Sequence, residues 1–153
     1  MTSETNQVDV QHWRKLRGVF HASPTNADGR TEIEICEGSA TLTFEADESH
    51  FHAGGAVHGA HIFKLLDDAA FFAAGSEVRD VFVLTVGFQT NFMRPAGAGV
   101  LRAEGRLVRA SKRVLWAESK VLTAGGALVA TGSGTFLPSE IALDPKIGYR
   151  EIP

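Results

Sequence analysis

The sequence predicts an α+β fold in which one long apolar helix is wrapped by a curved antiparallel sheet. Three observations carry that expectation. The segment His58 to Ala74 has helical spacing and is apolar on nearly every side. A helix of that kind is buried all round. Four long segments rich in Val, Leu, Thr and Phe follow it with short breaks between them, and short breaks join antiparallel neighbours. The chain has 153 residues and is 44% hydrophobic, which suits one domain around one core.

Each element follows in order. Residues 1–9 are polar and read as a frayed terminus. From Val10 to His21, the residues Val10, Trp13, Leu16 and Phe20 fall at helical spacing and predict a short amphipathic helix. The stretch from Ala22 to Gly29 holds Pro, Asn, Asp and Gly and reads as a loop. Thr31–Cys36 and Ala40–Ala46 alternate apolar and polar around Glu37-Gly38-Ser39, a β-hairpin pattern. Ser49 to Gly55 is a loop, and His58–Ala74 is the long helix. Val81–Met93, Val100–Ala110, Arg113–Thr123 and Leu128–Leu137 complete the sheet. The core thus spans residues 10–137, and residues 138–153 read as an irregular tail. A sheet that curls around its helix, the hotdog arrangement, covers the apolar surface. A two-sheet sandwich would leave the helix bare.

Composition narrows the function. The formal net charge is -3, so no electrostatic case exists for nucleic acid. The chain has one cysteine, Cys36, which excludes an internal disulfide and a cysteine-cluster metal site. A reducing, cytoplasmic setting fits. Met1 to Val10 has no apolar signal region. No stretch has the roughly 18 to 20 apolar residues of a spanning helix.

The chemistry concentrates between His50 and Asp68. Four of the six histidines lie there, at 50, 52, 58 and 61. Gly54 and Gly55 precede His58-Gly59 at the start of the long helix. Glycine lets the backbone approach a ligand. The first amides of a helix lack internal partners and carry the positive end of the dipole. Together they could form an oxyanion hole, or simply a Gly-rich turn into a helix. Asp67 and Asp68 sit mid-helix, where a carboxylate is costly to bury. One could be a buried acid that takes a proton from water, or both could be solvated or paired. Spacing does not choose between them. The histidines could also ligate a metal, but His52 and its neighbours lie in a glycine loop, with the next Glu only at Glu77.

At this point the residues resemble a known family. His58-Gly59-Ala60, followed by Asp67 nine residues after the His, is similar to the signature of the PaaI-type hotdog-fold acyl-CoA thioesterases. The element order from Trp13 to Phe136 agrees. The resemblance implies that Asp67 is the catalytic carboxylate, as general base or nucleophile. It implies that the Gly59 amide polarises the thioester carbonyl with His58 beside it. It also implies that Thr85 helps hold the attacking water. Two departures stand out: Ala60 replaces a glycine, and His52 stands where many members carry Asn. Strict alternation sets Thr85 on the face opposite Leu84, Val86 and Phe88, unless a bulge at Gly87 changes the facing. The resemblance implies no cofactor, and a homodimer that often pairs again into a homotetramer.

Gly59 and Asp67 are eight residues apart on one helix, about 12 Å along its axis. One small carbonyl cannot touch both, so a shared thioester needs two protomers. Coenzyme A would call for a basic rim, for which Arg94, Arg109, Lys112 and Arg113 are the candidates. Phe71, Phe72 and Phe88 are candidates for an acyl wall or simply for core. A hotdog dehydratase would need an acid fourteen residues after His50, where Lys64 stands. A non-catalytic acyl-CoA or small-ligand-binding module of the same fold is the other reading.

Overall fold

The computed structural model describes residues 2–153, with side chains from residue 6 onward. Helix α1 covers Thr2–Ala22. It begins well before Val10, so the expected frayed start is corrected for residues 2–9; Met1 lies outside the described residues. Asp9 pairs with Arg79, from the link just before residue 81, which ties this added helical length to the fold. The loop after α1 holds Asn26, whose amide donates to Phe20 O at 2.9 Å.

Strands β1 (Thr31–Cys36) and β2 (Ser39–Ala46) form the expected hairpin. Thr31, Ile33 and Ile35 are buried, while Glu32, Glu34 and Cys36 are exposed. Helix α2 spans Gly59–Gly75. Then come β3 (Val81–Phe92), β4 (Gly99–Ala110), β5 (Leu115–Thr123) and β6 (Leu128–Ala142). All pair antiparallel in one sheet of order β1-β2-β4-β5-β6-β3. The α+β hotdog reading is therefore correct: the sheet wraps α2.

Two boundaries move. β5 starts at Leu115 because Ser111 to Val114 close a tight turn, with Ser111 N–H donating to Val114 O at 2.9 Å. β6 runs to Ala142, so the first part of the expected irregular tail is strand, with Ala142 opposite Val81. Beyond it, Leu143 and Tyr149 pack against the core.

Leu66, Ala69, Ala70 and Ala73 of α2 are fully buried against the sheet. β4 reaches this close because residue 105 is glycine; a Cβ there would lie 2.0 Å from Ala69 O. The expectation of a helix buried on every side needs correction, however. Ala60 and Phe63 are exposed, and Asp67 and Phe71 half-buried. These four fall at three- and four-residue spacing, which is one stripe of the helix. The stripe faces β3, which is a sheet edge with no further strand beyond it among the described residues. The same edge exposes Leu84, Val86 and Phe92.

Candidate active site

The N-terminal end of α2 is open. His58 is its N-cap, and His58 Nδ1 accepts the Ala60 amide at 3.0 Å. The Gly59 amide, one residue earlier, has no acceptor among the described residues, as the first turn of a helix dictates. His52 is held in a similar way: its Nδ1 accepts the Gly54 amide at 3.0 Å. That bond places the proton of the neutral ring on Nε2. The His52 and His58 rings are 6.3 Å apart. A cleft of about 400 Å³ lies here, walled by His52, Gly59, Ile62, Phe92, Met93 and Arg94. Phe92 lies over Gly59: a Cβ there would sit 3.2 Å from its ring.

The other two histidines of the segment belong to the packing. His50 is buried and its Nδ1 accepts the Asp47 amide at 2.9 Å. The His50 ring meets Phe44 at 4.9 Å and His61 at 5.0 Å. Burial pushes the His61 imidazole below its ordinary pKa, with His50 and His58 adding to the effect. Among the described residues no group of three or more His, Cys, Asp and Glu is arranged to hold a metal.

Asp67 and Asp68 part company. Lys64 Nζ lies 2.5 Å from Asp68 Oδ2 and also donates to Asn26 Oδ1 at 2.7 Å. Asp68 thus points toward the α1 side with a cation. Asp67 points to β3, where the Thr85 hydroxyl donates to its Oδ1 at 2.9 Å. Burial raises the Asp67 pKa; the Thr85 bond opposes that, Asp68 adds to it, and Lys64 lowers it. Burial raises Asp68 as well, against the pull of Lys64.

The facing of Thr85 rests on a bulge. Thr85 pairs with Phe136 and Gly87 with Thr135, so Val86 is the extra residue. One inserted residue reverses the alternation. Thr85 therefore shares the helix side with Phe88, whose ring lies over Gly132 and Gly134. Around Asp67 this builds a ladder. Phe63 meets Phe88 at 5.4 Å one helical turn before it, and Phe71 meets Phe82 at 5.1 Å one turn after it. Phe72 instead is buried against Phe20 as core.

The four candidate cations do not come together. Arg94 borders the Gly59 cleft, just past the end of β3. Arg109, Lys112 and Arg113 belong to the β4–β5 turn. Leu115 pairs with Phe136, and Phe136 with Thr85, so that turn stands at the Thr85 end of the sheet. Sequence reasoning missed Phe92, and it missed the Lys64–Asn26 contacts that occupy Asp68. Lys64 four residues before Asp68 was a visible signal; nothing in the sequence pointed from Phe92 to Gly59.

Solved structures share the architecture. PaaI from the Escherichia coli phenylacetic acid degradation operon superposes with a TM-score of 0.80 at 18% identity, over 88% of this chain and 97% of that one. A thioesterase family protein of Silicibacter pomeroyi gives 0.75 at 25% identity, over 81% and 95%. A candidate esterase of Sulfurisphaera tokodaii is 29% identical over 102 residues, 66% of this chain and 75% of that protein. Residues 54–130, from the first glycine of the loop before α2 into β6, match the thioesterase superfamily, and the chain belongs to that family, with the hotdog fold that its solved neighbours share.

Proposed function

We propose that this chain hydrolyses acyl-CoA thioesters to free acid and CoA, at sites shared between two copies. The observation that carries the reading is the Asp67 carboxylate, half-buried and bonded by the neutral Thr85 hydroxyl, with no ion pair of its own among the described residues. A carboxylate kept short of countercharge is a better base than an ordinary one. Asp67 takes a proton from water as the water oxygen attacks the acyl carbon, or attacks directly as nucleophile to give a mixed anhydride that water then hydrolyses to the free acid and Asp67. The Gly59 amide, with the positive end of α2 behind it, holds the developing oxyanion. The C–S bond breaks, and the CoA thiolate leaves and takes up a proton. Thr85 holds the carboxylate in place. His52 Nε2–H orients the carbonyl or water, and His58 fixes the helix start that presents Gly59.

Geometry supports sharing between copies. Asp67 and Gly59 lie on one helix about 12 Å apart. β3 is an unpaired edge carrying exposed Leu84, Val86 and Phe92 beside exposed Phe63, a patch that in water calls for a cover. Antiparallel pairing of two β3 edges with Thr85 opposite Phe92 of a second copy brings each Asp67 toward the other copy's Gly59. The same pairing brings Arg94 of one copy to the end where the other carries Arg109, Lys112 and Arg113, a basic rim for CoA phosphates. The homodimer is the minimal unit and a homotetramer its extension; the setting is cytoplasmic.

A thiol-release assay against a panel of acyl-CoAs tests the reaction: release of free CoA is expected, and no release at any chain length leaves the ligand-binding module. Sharing has its own test. Gly59→Pro removes the amide proton at a helix position that tolerates proline. Mixed with Asp67→Asn protein, it should regain activity, because each heterodimer then holds one intact site. A mixture as inactive as its components would sink the shared site.

A further inference from the structure

On the face of the sheet turned away from α2, a cleft of about 510 Å³ is walled by Val108 and Trp116, floored by Gly87, Ser133 and Thr135, and closed at one end by Gln89 and by Glu118, whose charge Arg106 meets. Resting on the thioesterase reading, we infer that this cleft binds the adenosine 3′-phosphate 5′-diphosphate end of a CoA thioester, with the purine against Trp116 and the phosphates on Arg109, Lys112 and Arg113. The floor has small side chains, so a planar base can lie in the slot. Trp116 is 37% exposed, a large apolar surface left to water. The Arg109 guanidinium lies over its ring at 5.8 Å. Val108 is the extra residue of a bulge between Leu107 and Arg109, and it stands 57% exposed as the opposite wall.

Charge singles out an anionic ligand. Elsewhere on this face the cations are matched: Arg102 and Lys120 with Glu104, and Arg106 with Glu118. Among the described residues Arg109, Lys112 and Arg113 have no carboxylate partner. One unmatched cation over an exposed indole, with two more on the adjoining turn, suits a purine nucleotide, by stacking and by charge-assisted bonds to phosphate. Position agrees as well. Trp116 pairs with Thr135, and Thr135 with Gly87, so the indole is two strands, about 10 Å, from β3 near Thr85. The two lie on opposite faces, and the β4–β5 turn sits at the strand ends around which the pantetheine arm would pass.

Two measurements test this on the full-length protein. The first compares kcat/KM for one acyl group carried on CoA and on pantetheine, which lacks the nucleotide. Trp116→Leu should lower the value for the CoA thioester roughly tenfold, about 1.4 kcal/mol, chiefly through KM, with Trp116→Phe restoring most of it. An equal loss on both substrates overturns the subsite. The second is calorimetric binding of adenosine 3′,5′-bisphosphate, which needs no turnover. Wild type should bind it, and Trp116→Leu and the Lys112→Ala/Arg113→Ala double variant should each bind at least severalfold more weakly. Equal binding by wild type and the double variant, or none by wild type, overturns the proposal even if Trp116→Leu fails to fold. A chain that hydrolyses neither thioester yet binds the bisphosphate through these residues refutes the hydrolase and keeps the subsite.

Discussion

Adjacent aspartates on α2 occupy two unlike surroundings. On the Asp68 side, Lys64 supplies a positive charge, and Asn26 holds that lysine in turn. On the Asp67 side there is a hydroxyl, two pairs of phenylalanine rings and an open sheet edge. Burial raises both carboxyl pKa values, but only Asp68 has a hydrogen-bonded cation against that cost. The difference teaches that a costly carboxylate is informative when nothing nearby offsets it. On the proposed reading, Asp68 is structure and Asp67 is the carboxylate that chemistry uses.

The strongest way to break this contrast is Asp67→Asn. Removing a general base costs on the order of 100- to 10,000-fold, so turnover of any accepted thioester should fall by at least that range. Stability should move the other way. The folded pKa of Asp67 is raised above its unfolded value, so the unfolded state releases the proton more readily. Stability is therefore lost as pH rises from the ordinary carboxylate range through the folded pKa, and at neutral pH the penalty is fully present. Asn removes it, so Tm at neutral pH should rise by a few degrees while the difference from wild type vanishes in acid. A variant that stays active, or melts lower at neutral pH, contradicts the role given to Asp67.

Thr85→Val sharpens the contrast at smaller amplitude. The hydroxyl bond favours the ionised carboxylate, so its loss should push the Asp67 pKa further up. The acid limb of the kcat/KM profile should move to higher pH, with a neutral-pH loss of roughly tenfold, the worth of one hydrogen bond to a charged group. A uniform drop with an unmoved limb would mean that Thr85 holds water and leaves the carboxylate alone.

Much of this was legible in the sequence because periodicity reports burial. The hairpin and the long helix appeared nearly in register, and the glycine-to-helix transition placed Gly59 correctly. What was illegible depended on contacts between distant segments. Alternation alone put Thr85 on the wrong face, and only the pairing with β6 reveals the extra residue at Val86. The pattern read α2 as apolar all round, yet its Phe63 stripe is open because β3 ends the sheet. Residues 2–9 look too polar to order; they are helical with Asp9 tied to Arg79, seventy positions away. Phe92 over Gly59 is likewise a contact between two elements.

The smallest effect comes from the Asp68 side and should leave turnover alone. Lys64 and Asp68 are partly exposed, so their pair is worth on the order of 1 kcal/mol or less. The two halves are not equivalent. Lys64→Met leaves the half-buried Asp68 carboxylate without its cation and Asn26 without its donor, a cost of roughly 1–3 kcal/mol. Asp68→Asn removes the group whose ionised form burial disfavours, and should stay within about 1 kcal/mol of wild type. Thermal melts of the two variants at neutral pH should therefore rank Lys64→Met clearly lower. The gap should close in acid, because protonating Asp68 below its raised pKa removes the unpartnered charge. If instead Asp68→Asn silences hydrolysis while Asp67→Asn does not, the two aspartates have exchanged roles, and the active face of α2 is the one toward α1.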